Sequence, residues 1–268
     1  MGKRNEKRQK ELELKRSSRQ QREIKPSFNY LITLAYDGSN YGGYAKQKHK
    51  NTIQNHLEAV LKDYFKQDVS TMESSRTDAK VHALNQKVMF GWHEKLAVAK
   101  VQSQLNELLP KDIIIVDLEQ VSADFHCRYD VKNKTYEYVI QPWIDPRSNR
   151  YAWLVNQKLD MGKMVEASRC LLGTHDFSTF KSAKATTDTS VRTLYFLKIF
   201  EDRGKVIIRI NADGFLYNMV RLIVQALVDV GSGKQDAAYV KRLLDMQSKP
   251  DNLASAPAQG LCLMEINY

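Results

Sequence analysis

Cysteine is scarce in this chain. Cys127, Cys170 and Cys262 are the only three in 268 residues, and no two form a C-x-x-C pair. That leaves no disulfide framework and implies no zinc site, so the thiols are expected to be reduced, as in a cytoplasmic protein. The six histidines (His49, His56, His82, His93, His126 and His175) are equally scattered, with none at metal-ligand spacing. No apolar run approaches the roughly 18 residues of a membrane span. The N-terminus is charged from its third residue and lacks the apolar centre of a signal peptide. No short-period repeat of the solenoid type is visible.

What is present is a core-forming chain with an uneven positive charge. Hydrophobic residues make up 43%, enough for one large domain or two halves sharing a core. The net charge is +10, of which residues 1–25 carry +6, with ten Lys or Arg against four Glu. A basic tail on a basic body favours a polyanionic partner, most simply nucleic acid. The alternative is a solubilising disordered tail. Residues 1–27 have too little apolar content to fold alone.

Ordered sequence is expected from about Phe28. Leu31–Tyr36 reads as a strand stopped by Asp37-Gly38. Ile53, Leu57, Val60, Leu61 and Tyr64 recur at helical spacing over about 52–66. A strand pair is predicted around 68–75 and 85–92. A second helix is marked by Val98, Val101, Leu105 and Leu108 and ended by Pro110, and Ile113–Val116 is a buried strand. The remainder gives a similar order: strand 135–140, helix 160–172, strands 192–201 and 204–212. A strong helix with Leu216, Met219, Val220, Ile223, Leu227 and Val230 on one face follows, then a short helix near 236–246 and a strand near 261–267. A duplicated split βαβ unit accounts for both halves, 28–125 and 126–268, in an α+β fold. The two sheets could join side by side around a cleft.

The segment Ser74-Ser75-Arg76-Thr77-Asp78-Ala79-Lys80-Val81-His82-Ala83 is the most informative part of the chain. It is polar, turn-rich and runs into the alternating Val88-Met89-Phe90, so Asp78 is expected on a loop entering a strand. A carboxylate among cations and hydroxyls stays ionised and can be aimed outward. It suits a nucleophile or general base, or simply closes an Asx-type turn.

Arg76-Thr77-Asp78-Ala79 with Val81-His82-Ala83 resembles the catalytic loop of the TruA family of tRNA pseudouridine synthases. Further segments match in order: Leu34-Ala35-Tyr36-Asp37-Gly38, Asp124-Phe125-His126-Cys127-Arg128, Lys134-Thr135-Tyr136-Glu137-Tyr138, Leu172-Gly173-Thr174-His175-Asp176-Phe177, Gly214-Phe215-Leu216-Tyr217-Asn218-Met219-Val220-Arg221, and Gly260-Leu261-Cys262-Leu263 in the closing strand. The resemblance spans about residues 29–268. It implies the pseudouridine synthase fold: two ferredoxin-like halves with sheets joined around a central active-site cleft. It also implies isomerisation of uridine to pseudouridine in the anticodon stem-loop of tRNA, by a homodimer without cofactor or metal. By motif matching Asp78 corresponds to the catalytic aspartate, Tyr136 to the tyrosine beside the target base and Arg221 to the arginine paired with the aspartate. Arg76, Lys80, His82, Arg128, Arg192 and Leu263 are the candidate substrate contacts, and Lys46–Lys50 is either a solvated loop or a phosphate-binding edge.

Each residue also has a plainer reading. Tyr136 alone would be a strand-core aromatic, Arg221 a snorkelling helix residue, and Arg128 or His126 a strand-end cap or phosphate contact. Arg192 follows a Ser/Thr-rich stretch, 182–190. Departures from the family pattern lie around the chemistry. Tyr44-Ala45 stands where Trp-Gln is usual, and Ser75 and Lys80 stand where glycines are usual. A lysine tolerates positive φ poorly, so the loop is expected to settle into another conformation at Lys80. The competing functions are a catalytically weak RNA-binding relative and a synthase acting on another RNA site. An aspartate-dependent hydrolase would show a second catalytic carboxylate or metal ligands, and none is visible.

Overall fold

The computed structural model describes residues 27–182, 189–246 and 248–268. The basic tail, but for Ser27, and most of the Ser/Thr-rich stretch before Arg192 lie outside these. In chain order the elements are β1 (Phe28–Tyr36), α1 (Ile53–Phe65), β2 (Thr71–Glu73), β3 (His82–Trp92), α2 (Val98–Leu108), β4 (Ile113–Val121) and β5 (Asn133–Gln141). Then come β6 (Trp153–Leu154), α3 (Met161–Ser168), β7 (Gly173–Asp176), β8 (Val191–Asp202), β9 (Lys205–Ala212), α4 (Met219–Gly231), α5 (Tyr239–Asp245) and β10 (Leu261–Asn267). The two short strands β6 and β7 are not signalled by periodicity. The helix expected to reach 172 leaves α-helical geometry at Ser168 and finishes as a 3₁₀ turn over Arg169–Leu171.

The strands form one sheet in the order β4–β1–β3–β10–β5–β9–β8–β7, with β2 beside β3 and β6 beside β5. The duplication is visible in this order. β4–β1–β3–β2 and β10–β5–β9–β8 are the same arrangement of four strands, fourth-first-third-second, as the split βαβ reading requires. The halves meet at β3. Its far end, Val88–Phe90, pairs with β2, and its near end, His82–Ala83, pairs in parallel with β10. The loop 74–81 therefore leaves β2 where that strand stops and the closing strand of the other half takes over the same edge. β10 also runs antiparallel to β5, with Leu263 opposite Tyr136 and beside Ala83. Tyr136, Leu263 and Ala83 thus lie abreast at the joint.

Local chemistry fixes the elements. Thr52 caps α1, its hydroxyl accepting from Asn55 N at 3.4 Å, and the helix buries Ile53, Leu57, Val60 and Leu61. In α4 ten residues are buried, and the three that are not, Arg221, Gln225 and Asp229, recur every four positions along one stripe. Arg221 is the first of them, at the helix N-terminal turn. Gly231, at the other end, packs against Met164 of α3, where an added Cβ would lie 2.6 Å from the sulfur. One apolar core runs through both halves, from Tyr30 and Leu57 to Ile223 and Leu243. Among the described residues no helix is long and apolar enough to cross a membrane.

Candidate active site

The loop from Ser74 to Val81 is fixed almost residue by residue. Ser74 N donates to Lys87 O at 2.8 Å. Gln86, fully buried on β3, grips Ser75 from both sides, donating to its carbonyl at 2.5 Å and accepting from its amide at 3.2 Å. Thr77 shares a hydroxyl contact of 2.7 Å with Tyr36, and its carbonyl accepts from Tyr44 N at 3.1 Å. Val81 N closes a turn on Asp78 O at 3.1 Å, and Lys80 N donates to Tyr41 O at 3.2 Å. The connection from β1 to α1 presses against this one so closely that side chains are excluded at two of its positions. Gly43, at φ +106°, would place a Cβ 2.7 Å from Thr77 O, and Gly38 would place one 2.0 Å from Val81 O.

This frame presents Asp78 to Arg221. Arg221 Nη1 lies 3.4 Å from Asp78 Oδ2, and each side chain is less than a fifth exposed. The guanidinium is itself held, with Nε donating to Ala256 O at 2.7 Å and Nη1 to Asn218 Oδ1 at 3.0 Å. Asn218 stands before α4 in the left-handed conformation, φ 64°, which asparagine tolerates better than most residues. Asp78, expected to stay ionised among neighbouring cations, has Arg221 as its ion-pair partner and is mostly enclosed. Burial raises its carboxyl, and Arg221, by charge and hydrogen bond, offsets only part of that rise.

Tyr136 joins this pair. Its hydroxyl is 3.1 Å from Ser75 Oγ, and its ring meets Phe215 edge-on at 5.2 Å. The residue is buried in the free chain, where Phe215 packs against its ring. Burial raises the phenol above its usual value, and the nearby Asp78 charge adds to the rise.

The other candidates separate into two groups. His82 and Leu263, two of the candidate substrate contacts, are inside the protein in the free chain. Leu263 is fully buried at the strand joint. His82 Nδ1 accepts from Gly38 N at 3.1 Å and lies 3.2 Å from Asp37 Oδ1, while Nε2 is 3.1 Å from Arg150 O. Burial lowers its pKa, against an opposing pull from Asp37. Its ring positions the loop and leaves no nitrogen for a ligand. The second group is cationic, with Arg76 and Arg128 exposed and Lys134 and Arg192 half-buried. Arg76 Nε and Arg128 Nη2 both donate to one oxygen of the buried Glu73, at 2.9 and 2.8 Å. Lys134 donates to Ser74 O at 2.7 Å, and burial, helped by Arg128, lowers it to about 8. Arg192 lies against Gly214 and acts on Lys134 through its charge. Gln86 and Lys134 carry no signal in their spacing, because each bonds main chain elsewhere in the sequence, whereas Glu73 and Asn218 lie three residues from Arg76 and Arg221, a spacing that could have pointed to them.

Lys80 contradicts the expectation set for it. It sits at φ 66°, the conformation a glycine would take, because the turn on Asp78 and the bond to Tyr41 O fix the backbone. A non-glycine residue there costs about 1–2 kcal/mol. Lys80→Gly relieves that strain but frees the unfolded chain, worth about 0.4–1 kcal/mol in the other direction. Chemical denaturation should therefore find the variant at least as stable as the parent; a clear loss of stability would show that the lysine side chain anchors the loop.

Comparison with known proteins identifies the family. A sequence model of the family described as tRNA pseudouridine synthase matches residues 32–130 and 167–268, which include Asp78 and Arg221. A tRNA pseudouridine synthase A 2 from Bacillus cereus is 40% identical over 243 residues, covering 90% of this chain and 99% of the relative. One from Clostridium perfringens is 40% identical over 242 residues, with the same coverage. Among solved structures, a chain of the archaeal box H/ACA sRNP Nop10–Cbf5 complex aligns over 76% of this chain and 43% of its own, at 11% identity and a TM-score of 0.38, too distant to carry an inference. On the family match and these relatives, the chain belongs to the tRNA pseudouridine synthase family.

Proposed function

We propose that this protein isomerises uridine to pseudouridine in tRNA, in the anticodon stem-loop. The observation that carries the reading is the meeting of Asp78, Arg221 and Tyr136 at the strand joint, in a chain that shares 40% identity with synthases along nearly its whole length. The target uridine leaves the base stack to reach so recessed a carboxylate. Its C1′–N1 bond breaks, the uracil turns, and C5 bonds to C1′. The C5 proton is then lost and N1 gains one, so the sum is an isomerisation and no water is consumed. Asp78 acts at the sugar, as nucleophile or base. Arg221 keeps enough of it ionised despite burial. Tyr136 retains its proton at neutral pH, so its hydroxyl can relay the C5 proton only if it passes its own to Ser75 Oγ while that hydroxyl releases its proton to solvent. Phe215 and Tyr136 form the wall against which the turning uracil packs.

The exposed Arg76 and Arg128 and the half-buried Arg192 face the RNA backbone. Lys80, exposed two residues from Asp78, meets a phosphate. Replacing it with glycine is expected to raise KM for RNA more than it changes the single-turnover rate. The protein works in the cytoplasm as a homodimer, with one RNA reaching across both subunits; a competent monomer in light scattering at assay concentration would contradict this. Deleting residues 1–25 should weaken RNA binding broadly and flatten its salt dependence, by roughly 0.7–0.9 in log–log slope per lost phosphate contact. Unchanged affinity across a salt titration would instead make the tail a solubilising segment. The deciding experiment is pseudouridine mapping of total RNA from cells with and without the protein. Loss of pseudouridine at an anticodon-arm position supports the reading. Loss at another site would relocate the substrate, and no loss would overturn the activity.

A further inference from the structure

We propose that Tyr129, lying on His126, is a stacking platform for an unpaired base of the RNA beside the target uridine. This rests on the RNA reading above. Single exposed aromatics are ordinary on protein surfaces. Three observations set this one apart.

The first is exposure combined with order. Tyr129 is 79% exposed, more than any other large apolar side chain among the described residues. Yet one face of its ring is already covered: the His126 ring lies 4.2 Å away, centroid to centroid, at 26°. The opposite face is open. The second is a turn built to hold that stack. His126 N donates to Asp130 Oδ2 at 2.8 Å, and Asp130 N to His126 O at 3.1 Å. His126 Nδ1 accepts from Arg128 N at 3.3 Å and Tyr129 N at 3.2 Å, which fixes the plane of the imidazole. The turn is fastened to the body by Cys127 Sγ donating to Met72 O at 3.0 Å and by Tyr268 OH donating to Cys127 O at 2.8 Å. A ring held this way loses little freedom when a base settles on it.

The third is location. Arg128, the residue before Tyr129, shares the Glu73 oxygen with Arg76, which is two residues before Asp78. The platform is therefore tethered to the loop that carries Asp78, among Arg76, Arg128, Lys132 and Lys134. Asp130, the acid in the turn, has one oxygen engaged by His126 N. An open aromatic face beside a file of cations is what a single-stranded nucleic acid requires: the ring takes the base and the cations take the phosphates. A flipped target leaves its neighbours unstacked, and Tyr129 offers one of them a replacement partner.

The test uses full-length protein carrying Asp78→Asn, so that bound RNA is not turned over, and tRNA transcripts with 2-aminopurine placed in turn at each unpaired anticodon-loop position. At one position the probe should be quenched on binding. Tyr129→Ala should abolish that quenching and weaken binding by roughly 5- to 150-fold, the range for one stacked base. Tyr129→Phe should keep both, and Tyr129→Leu, apolar but without a ring, should behave as alanine. The log–log salt slope should stay unchanged in all three, whereas Arg128→Gln should lower it by about 0.7–0.9 for one lost phosphate contact. Equal affinity and equal fluorescence for Tyr129→Ala at every position would overturn the proposal, and so would parental behaviour of Tyr129→Leu. A parent chain that forms no pseudouridine yet shows the Tyr129-dependent quenching would sink the activity reading and leave the platform standing.

Discussion

Asp78→Asn should reduce pseudouridine formation to background while leaving a folded protein that still binds RNA. A positioned general base contributes about 10²–10⁴-fold, and a lost nucleophile removes the route itself. The fall in single-turnover rate is therefore expected to be at least about 10³-fold. Folding should be spared for an electrostatic reason. Burial raises the Asp78 carboxyl in the native state, so the folded chain binds this proton more tightly than the unfolded chain does. The stabilisation from that proton is present at low pH and lost as pH rises through the raised value. At neutral pH the ionised, recessed carboxylate is a liability, and asparagine removes it. Thermal melting at pH 7 should thus find the variant no less stable than the parent. Arg221 keeps its bonds to Ala256 O and Asn218. Appreciable product from purified Asp78→Asn protein would exclude Asp78 as the essential carboxylate.

Arg221→Gln should produce the second largest effect, with a distinctive pH signature. The guanidinium offsets part of the burial-driven rise at Asp78. Without it the carboxyl moves further up, so the acid limb of the single-turnover rate shifts to higher pH. At neutral pH the rate should fall by about 10²–10³-fold, as for removal of one preorganised charge-stabilising donor, with part of the loss recovered under alkaline conditions. Arg221→Lys retains the charge but cannot span Ala256 O, Asn218 Oδ1 and Asp78 Oδ2 at once, so its acid limb should fall between the two. An acid limb unmoved in Arg221→Gln would show that the arginine acts on the substrate and not through Asp78.

The outer shell of the site explains why nearby substitutions need separate readings. Lys80 stands in the left-handed conformation although its side chain disfavours it. Ser75, where the family pattern has glycine, supplies the hydroxyl that partners Tyr136. Tyr44 fills a fully buried position against Tyr36, whose own hydroxyl holds Thr77. These departures therefore act on the frame of the catalytic loop, through packing and hydrogen bonds.

Much of this protein was determined at the level of sequence, because the responsible interactions are local. The 3.6-residue spacing of Ile53, Leu57, Val60 and Leu61 specifies α1, and that of Met219, Val220, Ile223, Leu227 and Val230 specifies α4, since a helix buries whichever stripe is apolar. Alternation marks β3, and the repeated order of elements identifies the duplication. The motifs around Asp78, Tyr136 and Arg221 name the residues that meet. Tertiary structure decided what these residues experience. That β10 displaces β2 along β3, and so delivers the Asp78 loop to the other half, depends on register between strands 180 residues apart. The enclosure of His82 and Leu263, the shared oxygen of Glu73 and the turn-held conformation of Lys80 depend on partners supplied by remote segments. The rise of the Asp78 carboxyl has the same origin, because burial belongs to the assembled fold and no spacing along the chain encodes it.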